Sequence, residues 1–272
     1  MRFKAALCQM EPSLDTDQSM NHASEMVTEA AESGAKLICL PEMFYHPYSL
    51  DKIKSIQGKE NRYLETFVRI ARQKTICIST GSMVVERNGM LYNMSHLITP
   101  DGSIAGEYSK CHLYDARLAG LQVSESMVFT KGNGITIVNT QFGKIGIMIC
   151  YDIRFPEFSR LYALEGVDIL LIPSVFNIIT GSAHWETMVR SRAIENQFFV
   201  LATSQGRIPS TPYAAYGHSM ACDPWGTILC EAQERETIVY ADIDLSCIEQ
   251  TRKKLSLLSH RRTDLYHLER ST

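Results

Sequence analysis

Short apolar segments alternate with amphipathic segments in both halves of the chain, and this alternation restricts the fold more than any other feature of the sequence. In the first half, FKAALCQM predicts a strand, residues 17–33 predict a helix ended by Gly34, and KLICL predicts a second strand. In the second half, KIGIMIC, PEFSRLYALEG and VDILLIPS repeat this order, with Pro156 at the first helical position. The sequence therefore predicts an α/β protein whose sheets pack face to face with helices outside.

The remaining segments continue the pattern. NRYLETFVRIARQK predicts a helix and TICISTGSMVV one long strand, and the helix HWETMVRSRAIENQ precedes the strand FFVLATSQ. GHSMACDPWGTILCEA predicts a hairpin, and ETIVYADIDL predicts a last strand before a short helix. No linker or short repeat interrupts the 272 residues, 45% of which are hydrophobic. We therefore expect a single domain over residues 1–272.

Charge and cysteine usage exclude several classes of protein. The net charge of −3 gives no reason to expect a nucleic-acid partner. No apolar run approaches the roughly 20 residues of a membrane-spanning helix, and the first residues lack the apolar core of a signal peptide. None of the eight cysteines forms a C-x-x-C pair, so no metal site is expected. We expect a cytoplasmic protein with no membrane partner.

Three predicted strands end in residues that carry chemistry. KLICLPEMF places Glu42 after an apolar strand, GEYSKCHLYD places Lys110 at a strand end, and IGIMICYDIR does the same for Cys150. Sites in α/β proteins collect at the carboxyl ends of strands. We therefore expect these three side chains to meet where the core reaches a cleft.

Cys150 has two interpretations. It is either a small buried core residue or a nucleophile, and the abrupt polar turn YDIRFPE that follows it favours the nucleophile. Glu42 would then take the thiol proton, and Lys110 would stabilise an oxyanion. A cysteine–histidine hydrolase using His184 or His218 stays open, although neither segment carries a signature of such enzymes.

Together these segments resemble the nitrilase, or carbon-nitrogen hydrolase, superfamily. The resemblance rests on LPEMF, YSKCHLYD and GIMICYDIRFPE, and it continues through FNIITGSAHWETMVRSRAIENQ, AYGHSM, DPWGTI and RRTDLY. It therefore covers nearly the whole chain. The resemblance implies a four-layer αββα sandwich of the nitrilase type, which forms a homodimer or a higher homo-oligomer.

The resemblance also implies roles for particular residues. Glu42, Lys110 and Cys150 match the Glu-Lys-Cys triad, and Glu125 matches a second glutamate that positions substrate or assists proton transfer. Cys150 would attack an amide carbon to form a thioester, and Lys110 and the backbone N–H of Tyr151 would bind the oxyanion. Ammonia would leave and water would hydrolyse the thioester, with no cofactor.

Within the superfamily the sequence most resembles the omega-amidases, which remove the distal amide of short α-keto-acid amides such as α-ketoglutaramate. The expected small-molecule substrate is therefore an amide that bears a carboxylate. The residues expected to bind it are Tyr48, Arg154, Phe176, Asn177 and Thr180. For Arg154 itself, an ion pair that braces the turn after Cys150 is the preferred interpretation, and contact with a substrate carboxylate is the alternative.

Two alternatives concern the substrate and the class of protein. Tyr45 and His46 replace smaller polar residues of omega-amidases, and we expect them at the pocket entrance, where they would alter substrate choice. The enzyme could instead be a deaminated-glutathione amidase, a carbamoylase, a nitrilase or an amide transferase. A non-catalytic binding protein on the same fold is the remaining class, and the intact triad argues against it.

Overall fold

The structure, a computed structural model, describes residues 1–118, 120–209, 211 and 213–270. The described strands are β1 (Arg2–Gln9), β2 (Ala35–Cys39), β3 (Cys77–Ser79), β4 (Met83–Arg87), β5 (Met90–Ile98), β6 (Ile104–Ser109), β7 (Asp115–Leu118), β8 (Leu121–Ser124), β9 (Thr136–Thr140), β10 (Gly143–Ile147), β11 (Ile169–Ser174), β12 (Phe199–Ser204), β13 (Met220–Cys222), β14 (Ile228–Glu231) and β15 (Thr237–Asp244). The described helices are α1 (Thr16–Glu32), α2 (Ile53–Ile56), α3 (Glu60–Lys74), α4 (Pro156–Leu164), α5 (Ile178–Asn196) and α6 (Ser246–Lys254).

Two mixed sheets form the centre of the molecule. The first has the order β15-β1-β2-β3-β5-β4, with β6 also paired to β5, and the second has the order β14-β13-β12-β11-β10-β9. β1, β2 and β3 run parallel in the first sheet, and β10, β11 and β12 run parallel in the second. The two parallel sets therefore each present a row of carboxyl ends, which is where the site is expected.

Alternation along β1 shows how the layers are built. Ala5 and Leu7 belong to the core that joins the first sheet to the second, while Ala6 and Cys8 belong to the core beneath α1 and α3. Successive side chains of a strand point to opposite faces, so both faces of this strand are buried. The second sheet is covered on its outer face by α5, with α4 packed beside it. The predicted four-layer αββα sandwich is confirmed.

Two predicted strands end earlier than the sequence suggested. TICISTGSMVV forms β3 and β4, separated by a turn at Gly81, rather than one strand. The strand predicted to end at Cys150 ends at Ile147, and a 3-10 turn spans Cys150–Arg154. Both strands end at the edge of the sheets where Glu42 and Cys150 lie. Among the described residues no helix combines the length and the apolar character needed to cross a membrane.

Candidate active site

Glu42, Lys110 and Cys150 meet at one edge of the two sheets. Glu42 follows β2, Lys110 follows β6 directly, and Cys150 opens the 3-10 turn after β10. All three are buried. The structure thus brings together the three residues that the strand ends predicted.

The Glu42 loop is held in place by a close backbone approach at Gly81. Gly81 has a φ of +69°, and a Cβ atom on it would lie 2.0 Å from the carbonyl oxygen of Pro41. Only glycine allows this contact, which lets Ser82 donate its backbone N–H to that carbonyl at 3.2 Å. The buried amide of Gln205 donates to the carbonyls of Glu42 and Met43, at 3.0 and 2.9 Å. The Glu42 backbone is therefore fixed from both sheets.

Cys150 occupies a sharp turn between β10 and α4. Its φ of 46° lies in the left-handed region, which costs a residue with a side chain about 1–2 kcal/mol. A glycine would adopt this conformation freely but would supply no thiol. Strained backbone of this kind persists where the surrounding structure holds it, and it clusters at functional sites.

Lys110 joins two buried carboxylates. Its Nζ donates to Glu42 Oε1 at 2.8 Å and to Glu125 Oε1 at 2.9 Å. Glu42 Oε1 also accepts a bond from Asn93 Nδ2 at 2.8 Å. An ammonium group has three N–H donors, so one remains for a further acceptor.

Glu125 lies in a 3-10 turn after β8, and both of its carboxylate oxygens are occupied. Its Oε1 accepts from Lys110 and from the Tyr48 hydroxyl at 2.7 Å, and its Oε2 accepts from the Tyr114 backbone N–H at 2.7 Å. The carboxylate is thus held in one orientation. Only the family resemblance suggested this residue, because a loop glutamate in VSES carries no other signal.

Glu42 differs from Glu125 in the hydrogen bonding of one carboxylate oxygen. Its Oε2 is buried and has no hydrogen-bond partner among the residues that the structure describes. A buried carboxylate oxygen without a donor is costly, so such an atom in a native fold calls for an explanation. Oε2 is the position from which Glu42 can accept a proton.

The electrostatics of the cluster oppose an ionised thiol. Burial raises the pKa of the Cys150 thiol well above its usual range and the Glu42 charge adds to this, while the Lys110 ammonium and a hydrogen bond from the Val175 backbone act against it. Burial alone would lower the pKa of Lys110, but the charges of Glu125 and Glu42 raise it well above its usual value. Burial also raises the pKa of Glu125. Burial and charge therefore favour the uncharged form of the Cys150 thiol and the charged form of the Lys110 amine.

Cys150 opens into a narrow pocket. The pocket is lined by Tyr114, Cys150, Tyr151, Arg154, Phe176, Asn177, Thr180 and Tyr213. The sequence predicted Arg154, Phe176, Asn177 and Thr180 as substrate-binding residues, and all of them lie here. Asn177 also caps α5 by accepting the backbone N–H of Thr180 at 2.9 Å. Tyr114 and Tyr213 were missed. Tyr114 lies only four residues after Lys110, but nothing in the pattern marked its side chain, whereas Tyr213 comes from a segment distant in the chain.

Arg154 is a cation on the wall of this pocket. Its guanidinium lies 4.9 Å from the centre of the Phe176 ring and 5.8 Å from that of Tyr151, and its Nη1 is 3.3 Å from His184 Nδ1. No carboxylate within the described ranges is in ion-pair distance of it. The interpretation in which Arg154 braces the turn through an ion pair is therefore wrong.

Tyr45 and His46 do not line the pocket, so that prediction is wrong. Tyr45 is 1% exposed, and its hydroxyl accepts the Val84 backbone N–H at 3.0 Å. His46 is 5% exposed, and its ring contacts the Pro47 carbonyl at 2.6 Å. The turn after Glu42 buries both side chains, Tyr45 in the core beneath the helices and His46 against Pro47, and neither lines the pocket of Cys150.

Tyr48 lies behind Glu125 rather than beside Cys150. Its hydroxyl holds Glu125, and its ring packs against Tyr213 with 4.6 Å between centres. Tyr48 and Tyr213 also line a wider depression of about 610 Å³ beside the narrow pocket. The position of Tyr48 therefore fits a role in holding Glu125 better than the direct substrate contact that the sequence suggested.

The two histidines considered as catalytic bases lie elsewhere. His184 contacts Arg154, and His218 pairs with Glu231 at 3.2 Å and stacks on Tyr216. Neither lines the pocket of Cys150. Across the described part of the chain, no group of three or more histidine, cysteine or acidic side chains is arranged to hold a metal ion.

Glu125→Gln is expected to lower kcat at least about tenfold and to lower the melting temperature only slightly. Glutamine has one acceptor oxygen, so its NH2 group must face either the Tyr114 N–H or the Tyr48 and Lys110 donors. Steady-state kinetics and thermal unfolding measure both effects. The control is Glu157→Gln, the same change at an exposed position of α4. A normal kcat with a lower melting temperature would show that Glu125 is purely structural.

Comparison with known proteins adds to this geometry. The family model for carbon-nitrogen hydrolases matches residues 4–253. The omega-amidase NIT2 of Mus musculus is 37% identical over 272 residues, which is 98% of each chain.

Two solved structures are similar in both sequence and fold. Saccharomyces cerevisiae Nit3, a member of branch 10 of the nitrilase superfamily, is 34% identical with a TM-score of 0.88, over 96% of this chain and 97% of that one. The C. elegans NitFhit protein is 35% identical with a TM-score of 0.91, over 98% of this chain and 66% of that one.

Proposed function

Since the chain belongs to the carbon-nitrogen hydrolase family and is therefore an amide-hydrolysing enzyme, we propose that it removes the terminal amide of a small carboxylate-bearing substrate through a Cys150 thioester. The membership confirms the resemblance expected from the sequence. The proposal adds the roles of the individual residues and the class of substrate.

One observation carries the proposed chemistry. Glu42 Oε2 is a buried acceptor without a donor among the described residues, in a cluster where burial holds the pKa of the Cys150 thiol well above its usual range. A neutral thiol is a weak nucleophile and needs a base at the moment of attack. Glu42 supports that role because its other oxygen is already held by Lys110 and Asn93.

The first half-reaction forms the thioester. Glu42 Oε2 takes the thiol proton as the Cys150 sulfur bonds to the amide carbon, and the carbonyl oxygen becomes an oxyanion. The third N–H of Lys110 and the Tyr151 backbone N–H stabilise that charge. The carbon–nitrogen bond then breaks, and the departing nitrogen takes the proton from Glu42 and leaves as ammonia.

The second half-reaction releases the acid. Glu42 takes a proton from water, whose oxygen adds to the thioester carbon and forms a second oxyanion. The carbon–sulfur bond breaks as this intermediate collapses, and Glu42 returns its proton to the Cys150 sulfur. Glu125 contributes by holding Lys110 in place, since it shares the ammonium with Glu42.

Arg154 supports a carboxylate at the far end of the substrate. A guanidinium without a carboxylate partner among the described residues, on the pocket wall, offers paired N–H donors to such a group. A short substrate buries little apolar area, so one charged contact must supply much of its orientation. The mouse relative is an omega-amidase by name, which agrees with a short ω-amide.

A substrate panel tests this proposal. We expect kcat/KM for α-ketoglutaramate to exceed that of its analogue without the distal carboxylate by about 10²-fold, the range of a charge-assisted contact. Arg154→Gln should remove most of that preference. Equal rates for the two compounds would reject the anchoring role of Arg154.

The wider depression beside Tyr213 supports a second candidate substrate. Its volume of about 610 Å³ would accept a longer amide such as deaminated glutathione. Adding deaminated glutathione to the panel separates the two substrates. A strong preference for deaminated glutathione would replace the short ω-amide as substrate and leave the amidase chemistry unchanged.

The homo-oligomer also belongs to the proposal. α5 exposes Ile178, Ile179 and Ile194, with 38%, 45% and 42% of their surface accessible. Ile178 and Ile179 lie at the start of α5 and Ile194 near its end, and packing of this helix against a second copy would remove them from water. Light scattering should give a mass of at least two chains.

A further inference from the structure

The carboxylate of Asp152 is fully buried and saturated with donors. Its Oδ2 accepts from the Ile149 backbone N–H at 3.0 Å and from the Tyr108 hydroxyl at 2.6 Å. Its Oδ1 accepts from the His112 backbone N–H at 2.8 Å and lies 2.7 Å from Nδ1 of the same ring. Asp152 does not line the pocket of Cys150.

These donors flank two residues of the site. Ile149 directly precedes Cys150, while Tyr108 and His112 lie two residues before and two residues after Lys110. The Asp152 carboxylate therefore connects the turn that contains Cys150 to residues on both sides of Lys110. β6 and β10 belong to different sheets, so Asp152 also links the two sheets at this edge.

We propose that Asp152 is a positioning residue, which fixes Cys150 relative to Lys110 so that the thiol and the oxyanion donor are aligned before substrate binds. This rests on the proposed function, in which these two residues act on one carbonyl group. The strained backbone of Cys150 requires such a restraint, since a left-handed residue relaxes unless its neighbours hold it.

The His112 ring strengthens the restraint. It stacks on Phe155 with 3.7 Å between ring centres and an angle of 14° between planes. Phe155 follows the 3-10 turn of Cys150 and caps α4. The turn is thus held at its beginning through Ile149 and at its end through Phe155, and both contacts lead to the segment after Lys110.

Asp152→Asn tests the proposal because the amide cannot satisfy both backbone donors. The Ile149 and His112 N–H groups bind different oxygens, so one of them must face the new NH2 group whichever way it turns. The Tyr108 hydroxyl and the His112 ring can adjust, because each can also accept a hydrogen bond. Asp152→Asn therefore removes one of the two backbone hydrogen bonds with almost no change in side-chain volume.

We expect kcat to fall about 10²-fold with KM within about threefold of the wild type, since small misplacements of reacting groups have effects of this size. Hydrogen–deuterium exchange should become faster in peptides that contain Ile149 or His112. Asp168→Asn is the matched control, because Asp168 accepts the Lys144 backbone N–H at 2.9 Å, near the opposite end of β10. That variant should keep the wild-type kcat.

Each outcome has a distinct meaning. A wild-type kcat in Asp152→Asn, or unchanged exchange in both peptides, overturns the positioning role. If Asp152→Asn does not fold, His112→Ala decides, because it removes only the ring contacts of a partly exposed residue. It should lower kcat about tenfold at constant KM, and a normal kcat overturns the proposal. A wild type that hydrolyses no amide contradicts the proposed function, while the exchange measurement still tests the link.

Discussion

Cys150→Ala is expected to reduce amide hydrolysis to the uncatalysed background, a loss on the order of 10⁴-fold or more, because no thioester can form without the sulfur. Alanine keeps the Cβ atom, so the left-handed backbone at this position is strained to the same degree as in the wild type. The pocket also keeps its other walls. The variant should therefore unfold at nearly the wild-type temperature, and its loss of turnover would report chemistry rather than folding.

Cys111→Ala is the matched control for this experiment. Cys111 directly follows Lys110 and is partly buried, and its sulfur contacts the Gly134 carbonyl at 3.3 Å. It is therefore a thiol beside the site without a place in the proposed reaction, and its variant should keep the wild-type kcat.

Mass spectrometry supplies a second measurement on the wild-type protein. During turnover, an acyl group on Cys150 should be trapped by acid quenching, and Cys150→Ala should trap none. Substantial activity in the alanine variant would contradict covalent catalysis by Cys150.

The approximate position of each strand end was predictable from the sequence because it is a local pattern, although β10 ends at Ile147 rather than at Cys150. A predicted strand end that carries a reactive side chain marked Glu42, Lys110 and Cys150, and these side chains meet in the structure. The parallel strands explain why such a pattern works, since their carboxyl ends gather at one edge. What the pattern could not reveal is which neighbouring side chains complete the cluster.

The failures share a physical cause. Tyr45 and His46 were placed at the pocket because they follow Glu42 in sequence, but a turn through the left-handed Met43 buries both, with Tyr45 in the helix-side core. Asn93 had no signal at all, because its amide reaches Glu42 only through the pairing of strands distant in the chain. Short-range patterns predict where a segment ends, and tertiary contacts decide where the next side chains point.

Glu42→Gln is expected to lower kcat by at least about 10²-fold while leaving KM and the fold nearly unchanged. The amide oxygen of glutamine can replace Oε1, which accepts from Lys110 and Asn93 at 2.8 Å each. The NH2 group then takes the place of Oε2, the atom without a partner among the described residues, so the Lys110 and Asn93 donors keep their acceptor and the Cys150 sulfur can accept from the NH2 group. The substitution removes the base and little else.

The contrast with Glu125→Gln makes this prediction specific. The same chemical change at Glu125 must break a hydrogen bond whichever way the amide turns, because both of its oxygens are occupied. Glu42→Gln should therefore show the larger loss of kcat and the smaller loss of melting temperature. The reverse order would assign the base to Glu125, the other buried carboxylate bound to Lys110, and Glu42 would then serve only to orient the ammonium.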